Sequence, residues 1–381
     1  MTDVAIVGVG IYPFGRHKDV SALEMGAAAA RGALADAGLR WTDIPYAVGG
    51  SFEVDIPDAM VAYLGLTGID FTNVYNGCAT AGVALSLGVQ AIRSGRCDRV
   101  LVVGLDKHPP GAFTADPASY ACPAWYGEMG LFLTPKFFGM KINRYKHDHG
   151  ITPAALGRVA AKNYANGSLN PNAFRRTPLT VEQITGSRMV NYPLTQYMFC
   201  SPDEGAAAVV LCRGEDAAKY SPAPVRVRSV EVRTRRYGAF EVHSPSVPTE
   251  RAAAPTTEAA RAAFEAAGVS PGDIDIAQLQ DTDAGAEIIH MAETGLCADG
   301  DQEPMLAGGE TAIGGRLPVN TDGGLIANGE PVGASGLRQI HELVLQLQGR
   351  AGPRQVPGRP RVGLAHLYGA PGISAVTIVS A

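Results

Sequence analysis

The chain lacks any C-x-x-C pair: its six cysteines, Cys78, Cys97, Cys122, Cys200, Cys212 and Cys297, lie scattered. That spacing argues against both a disulfide framework and a zinc knuckle. It also lacks an uninterrupted apolar stretch long enough to span a membrane. The first residues, MTDVAIVGVGIYPFG, carry no basic region, and their apolar run is short and broken by glycine, so they read as a first strand and not as a signal peptide. A cytoplasmic protein is therefore expected. No run of Lys and Arg interleaves with aromatics, and the net charge is −5, so a nucleic-acid surface is not indicated. What is present is a globular composition, 46% hydrophobic and 18% charged. At 381 residues the chain is too long for one small core and suits two domains or one large, doubly built α/β unit.

The apolar pattern repeats. Val4 to Val9 alternates as a strand does, and Ser21 to Ala37 is an alanine-rich helix that Ser21 can cap and Gly38 can end. Short strands are expected at Tyr46 to Val48 and Val74 to Tyr75, and a buried one at Arg99 to Gly104. From Asp106 to about Pro202 the pattern changes to Pro, aromatic and polar residues, with helices at Thr134 to Gly150 and Pro153 to Asn166. We read an inserted loop or cap domain at about 106–202, because a long excursion without core strands is usually functional. Ala206 to Leu211 resumes the sheet. A second half then restarts with a strand at Val225 to Val232 and an alanine-rich helix at Thr256 to Ala267, and AGVSPGDI at Ala267 repeats AGLRWTDI at Ala37. Two halves, 1–224 and 225–381, are the economical division.

Within this repeat, NGCATAGVAL at Asn76 matches NGEPVGASGL at Asn328, so Cys78 and Glu330 stand at pseudo-equivalent points, each at the amino end of a buried helix. Two halves packed about an approximate two-fold axis would bring those helix ends to one site. A helix amino end favours a nearby anion, which makes Cys78 a candidate nucleophile. A small apolar core residue is the plain alternative.

The Asn-Gly-Cys-Ala-Thr-Ala-Gly turn, the stretch GGRLPVNTDGGLIANGEPVGASGLRQIHELVLQLQG from Gly314, and the closing HLYGAPGISAVTIV from His366 resemble the thiolase superfamily. YKHDHGITPAALGRVAAKNYANGSLNPNAF from Tyr145 narrows the resemblance to the lipid-transfer-protein or sterol-carrier-protein x branch. The resemblance covers essentially the whole chain. It implies an α/β thiolase fold, with two duplicated βαβαβαββ halves in a five-layered αβαβα arrangement. It also implies coenzyme A as co-substrate with no tightly bound cofactor and no metal, and a homodimer. A small OB-fold and zinc-ribbon subunit that completes the CoA tunnel is a further expectation, since no strongly basic patch for the CoA phosphates is evident in the sequence.

Carried over by position, Cys78 matches the acylated nucleophile. Glu330 stands where a Gly-His-Pro motif would place its histidine, because this chain reads Gly329-Glu330-Pro331. His366 falls near the second acid/base, and Gln280-Asp281-Thr282-Asp283 replaces the segment that helps bind the thioester carbonyl. Asp281, Asp283, Gly329, Gly333 and Gly369 are the expected substrate- and CoA-binding positions. An ordinary glutamate, with a pKa of about 4.3, is a weak base unless burial raises it. Glu330 among Gly, Pro, Val and Ala fits that condition; a first-turn acid serving the helix dipole is the alternative. His366 offers the base that Glu330 displaces, or is a structural strand-end histidine. Asp281 and Asp283 either face the pocket or cap the helix beginning near Gly285.

The expected activity is cleavage or formation of a carbon–carbon bond of a β-ketoacyl-CoA through an acyl-cysteine, with the oxyanion held by backbone N–H groups at the two helix ends. A retro-aldol lyase acting on a β-hydroxyacyl-CoA is the alternative, although relatives with that chemistry carry tyrosines at the positions of Gln280 and Glu330. A non-catalytic subunit is a third. Tyr120, Trp125, Tyr126, Phe132, Phe137 and Phe138 of the insertion suggest a bulky apolar acyl group or simply a core.

Overall fold

Alternation of side chains along each strand sorts this chain into layers. In the computed structural model, which describes residues 2–114, 116–120, 122–131, 133–239, 252–370 and 372–381, β1 (Val4–Gly15) sends Val4 and Ile6 into one core and Ala5 and Val7 into another. β4 (Arg99–Lys107) divides Val100 and Val102 from Leu101, Val103 and Leu105 in the same way. Both faces of these strands are covered, as the apolar run at Arg99 to Gly104 implied; Val4 to Val9, expected to alternate, is buried on both faces too.

The first half contributes β2 (Tyr46–Gly50), the one-turn helix α2 (Val61–Leu64), β3 (Asp70–Val74) and, after the 106–202 segment, β7 (Glu204–Arg213). The second contributes β8 (Val225–Thr234), β9 (Ile276–Gln278), β10 (Val362–Gly369) and β11 (Ile373–Ser380). The order is β3-β2-β4-β7-β1-β8-β11-β10-β9, a nine-stranded mixed sheet. The seam between its halves is narrow: β1 pairs with β8 only at Ala5 with Arg226 and Ile6 with Val225.

Helices complete five layers. α1 (Ala22–Asp36) packs on the outer face of the first half-sheet and α8 (Pro255–Ala267) on that of the second. Between the half-sheets lie α3 (Thr80–Arg93) and α12 (Val332–Leu347), whose Leu85, Val89, Leu337 and Leu343 share one core with both. α1 starts as its sequence dictates. Ser21 Oγ accepts the Glu24 N–H at 3.2 Å, the Glu24 carboxylate accepts the Ser21 N–H at 2.8 Å, and Gly38 at φ 64° follows the last turn. The repeated octapeptides fold alike, each closing a 3-10 turn, Trp41–Asp43 and Pro271–Asp273.

The 106–202 segment holds α4 (Trp125–Glu128), α5 (Thr134–His149), α6 (Pro153–Ser168), α7 (Val181–Thr185) and a small hairpin, β5 (Met189–Asn191) with β6 (Leu194–Thr195). Its core, which includes Ile142, Leu156 and Ile184, is shared with Ile288 and Ile289 of α9 (Ala284–Glu293) and with Leu306 of α10 (Gln302–Ala307). Tyr126, Phe137 and Phe138 are buried there, whereas Trp125 is half exposed. Phe132, the Tyr120 side chain and Pro371 of the closing motif lie outside the described residues. Among the described residues no helix is long and apolar enough to cross a membrane.

Candidate functional site

A cavity of about 300 Å³ opens where the amino ends of α3 and α12 meet the 106–202 segment. Its wall is mostly apolar, with Phe52, Phe113, Phe137, Phe138 and Phe199 among the lining residues, and Cys78, Cys200 and Glu330 supply chemistry at its floor. Such a cavity suits a largely apolar ligand oriented by a few polar groups.

Cys78 precedes α3 by two residues, in a turn where Gly77 takes φ 57°. Thr80 builds that turn, accepting the Asn76 N–H at 2.8 Å and donating to the Gly77 carbonyl at 2.6 Å. The end of β10 closes on the same point: a side chain at Gly369 would lie 3.0 Å from the Cys78 nitrogen, so glycine permits the approach. Glu330 is fully buried just before α12, and its N–H donates to the Ser201 carbonyl at 2.8 Å. Its carboxyl accepts from Gln280 Nε2 at 2.8 Å and from Cys200 Sγ at 3.5 Å, and Cys78 lines the same cavity near enough for the two groups to shift one another's ionisation. Burial raises the Glu330 pKa against those hydrogen bonds. Burial, followed by the Glu330 charge, pushes the Cys78 thiol well above its usual range. The pair thus rests as thiol beside carboxyl, and a proton can pass between them without creating a second buried charge.

Other expected site residues sit elsewhere. His366 is on the far face of β10: Ala365 and Leu367 point into the central layer, and His366 points outward toward α8 and α9. Its Nε2 lies 3.1 Å from Thr256 Oγ1, its ring is 4.4 Å from that of His290, and burial holds it well below the usual histidine range. It does not line the cavity. Asp281 and Asp283 are likewise turned away, with Thr282 between them on the wall. Asp281 accepts the Leu325 and Ile326 N–H groups, at 2.6 and 3.2 Å, at the start of α11 (Gly324–Asn328), and Asp283 caps α9 through Gly285 and Ala286 at 2.8 and 3.0 Å. Gly329, at φ 88°, lies against the buried Asp203 carboxyl, where a side chain would come within 2.0 Å. Gly333 packs between β2 and β4, so neither glycine lines the cavity.

The amino end of α12 is already occupied. The Val332 N–H donates to His108 Nε2 at 3.1 Å and the Gly333 N–H to Asp106 Oδ2 at 2.6 Å. Asp106 also accepts from Ser51 Oγ and from the Phe52 and Glu53 N–H groups, and His108 Nδ1 reaches Glu53 at 3.0 Å. The expected oxyanion donors at this helix end are therefore committed inside the protein. Gln280 belongs to the carbonyl-segment motif read from the sequence; Cys200, His108 and Asp106 are the neighbours that the sequence motifs do not reveal. The run Cys200-Ser201-Pro202 just before β7 lies beside the carboxyl end of its antiparallel neighbour β4, where Lys107 pairs with Glu204, and carboxyl ends of strands border ligand sites in α/β sheets.

Comparison with known proteins agrees with this architecture. Residues 4–193 match the thiolase N-terminal domain family and residues 242–381 the family described as thiolase C-terminal domain-like. The chain is 35% identical to an acetyl-CoA acetyltransferase of Methanothermobacter thermautotrophicus, with 100% of both chains covered. It is 30% identical to the benzoylsuccinyl-CoA thiolase subunit BbsB of Thauera aromatica, over 96% of this chain and 94% of that one. Among solved structures, the Ltp2-ChsH2(DUF35) aldolase superposes with a TM-score of 0.87 at 25% identity, covering 100% of this chain and 98% of that one. With its two half-sheets, its central helix pair and these relatives, the chain belongs to the thiolase family.

Proposed function

We propose that this protein is a thiolase-type acyltransferase in which Cys78 attacks the keto carbon of a β-ketoacyl-CoA, an acyl-CoA leaves, and CoA collects the acyl group from Cys78. The observation that carries this reading is that Cys78, two residues before α3, and the buried Glu330 carboxyl, two residues before α12, line one apolar cavity. Glu330 takes the thiol proton during attack and returns it when Cys78 leaves. The oxyanion is held by the Cys78 N–H, which a side chain at Gly369 would crowd at 3.0 Å. The cavity's apolar wall favours an acyl group that is itself apolar.

A retro-aldol reading is supported by one observation, the full-length likeness to an aldolase. In this chain the positions that carry tyrosines in such relatives are Gln280 and Glu330, which bond to each other at 2.8 Å. A partner subunit fits both readings, because one relative is named as a subunit and the aldolase's name joins two components.

Intact-mass spectrometry after brief exposure to several β-ketoacyl-CoAs tests the proposal. Wild type is expected to gain an acyl mass that Cys78→Ala does not. Absence of an adduct, with Cys78→Ala still cleaving β-hydroxyacyl-CoAs, would move the assignment to the lyase. Full adduct formation by the isolated chain would remove the need for a partner.

A further inference from the structure

Two thiols and one carboxyl meet in the cavity, and the acyl-cysteine reading uses only one of the thiols. Cys200 is partly exposed on the cavity wall, with its Sγ 3.5 Å from Glu330 Oε2. Its backbone is fixed from both sides. The Cys200 N–H donates to the Thr282 carbonyl at 3.0 Å, and the Ser201 carbonyl accepts from the Glu330 N–H at 2.8 Å. Arg175 bonds the Phe199 carbonyl at 2.9 Å and also the Ser201 hydroxyl. The sulfur is thus held in one place beside the carboxyl that serves the nucleophile.

Cleavage of a β-ketoacyl-CoA needs a second proton. When the carbon–carbon bond breaks, its electron pair goes to the α-carbon of the departing acyl-CoA, and Glu330 already holds the proton taken from Cys78. His366 lies on the other face of β10, and the hydroxyls of Thr114, Thr134, Ser201 and Thr282 on the wall are much weaker acids than a thiol. Tyr75, the phenol of the lining, is half exposed, whereas Cys200 bonds to Glu330. We propose that Cys200 is a further catalytic residue, the acid that protonates the α-carbon in cleavage and the base that removes an α-proton in the reverse direction. This rests on the acyl-cysteine reading.

The steps balance. As the Cys78 sulfur bonds to the keto carbon, Glu330 takes the Cys78 proton, the carbon–carbon bond opens, and the α-carbon takes the Cys200 proton. CoA then gives its thiol proton to the Cys200 thiolate and attacks the acyl carbon, and Cys78 leaves with the proton from Glu330. One negative charge moves from Glu330 to Cys200 and back, so the cavity never holds two. Burial and the Glu330 charge push the Cys200 pKa well above its usual range, which keeps the proton in place until the carbanion forms.

The test separates the two thiols. Wild type, Cys200→Ala and Cys200→Ser are compared for acylation of Cys78 by acetyl-CoA, read by intact mass, and for exchange of the acetyl-CoA α-protons in deuterium oxide. Exchange is expected to fall about 100-fold or more in both variants, while acylation falls less than about tenfold. Serine keeps a hydrogen bond to Glu330 without a usable acid, so recovery of exchange in Cys200→Ser would assign Cys200 a positioning role and overturn the proposal. So would exchange within about threefold of wild type in Cys200→Ala, or equal losses of exchange and acylation. A wild type that never acylates Cys78 removes the acyl-cysteine reading itself, and the role of Cys200 with it.

Discussion

Glu330 holds its carboxyl among two thiols and the Gln280 amide, and each neighbour affects when it ionises. Burial raises its pKa, so its ability to accept the Cys78 proton grows as pH rises through a value above the ordinary carboxylate range. The acid limb of the Cys78 acylation rate should lie there. Glu330→Gln is expected to lose that limb and to slow acylation by about 10²–10⁴-fold, checked by single-turnover labelling across pH. Stability moves the other way. The unfolded chain ionises Glu330 at its ordinary pKa while the folded chain still holds the proton, so stability falls as pH rises between the two values and is level above them. Glu330→Gln should therefore unfold at higher urea than wild type at neutral pH, with the difference closing below the ordinary carboxylate pKa. A variant less stable than wild type at neutral pH would contradict this account of the site.

At the scale of elements, the site depends on how closely α12 approaches β4. A side chain at Gly104 would come within 1.9 Å of the Gly333 carbonyl, and one at Gly333 within 2.4 Å of the Gly50 carbonyl. Backbone cannot yield as a flexible side chain can, so Gly104→Ala should cost about 1–3 kcal/mol or more and displace the amino end of α12. Urea unfolding reads the first effect and loss of Cys78 acylation the second; a variant equal to wild type in both would show that the contact is not needed. Much of this layering was legible: strands, the Ser21 and Asp283 caps and the paired helix starts at Cys78 and Glu330 each rest on local spacing. The fate of His366 was not legible: alternation separates it from Ala365 and Leu367, but Leu364 makes its own face of β10 apolar as well, so the sequence does not say which face meets the site. What local spacing could not give is the company at the cavity floor. Cys200 reaches Glu330 across 130 residues, and His108 reaches the amino end of α12 across 224. These meetings are products of tertiary packing, with no periodicity to announce them.

Across the whole molecule the two halves share their central layer. α12 belongs to the second half by sequence, yet it packs on β1, β4 and β7 of the first half as well as on β10. It is buried along nearly its whole length, including Arg338, which binds Asp322, and Glu342, which accepts from Arg354 at 2.8 Å. A helix buried on all sides has no face to offer water when half its surroundings are removed. The sheet seam of two residue pairs between β1 and β8 could not hold the halves together without that layer. Residues 1–224 and 225–381 produced separately should therefore remain loosely packed, with strong dye binding to exposed apolar surface and no fixed near-ultraviolet dichroism. Mixed or co-expressed, they should associate and recover both the dichroism and acylation of Cys78, because Cys78 and Glu330 come from different halves. A sharp, cooperative urea transition from either half alone would show that each carries a self-sufficient core, and that the shared layer joins two completed domains rather than completing them.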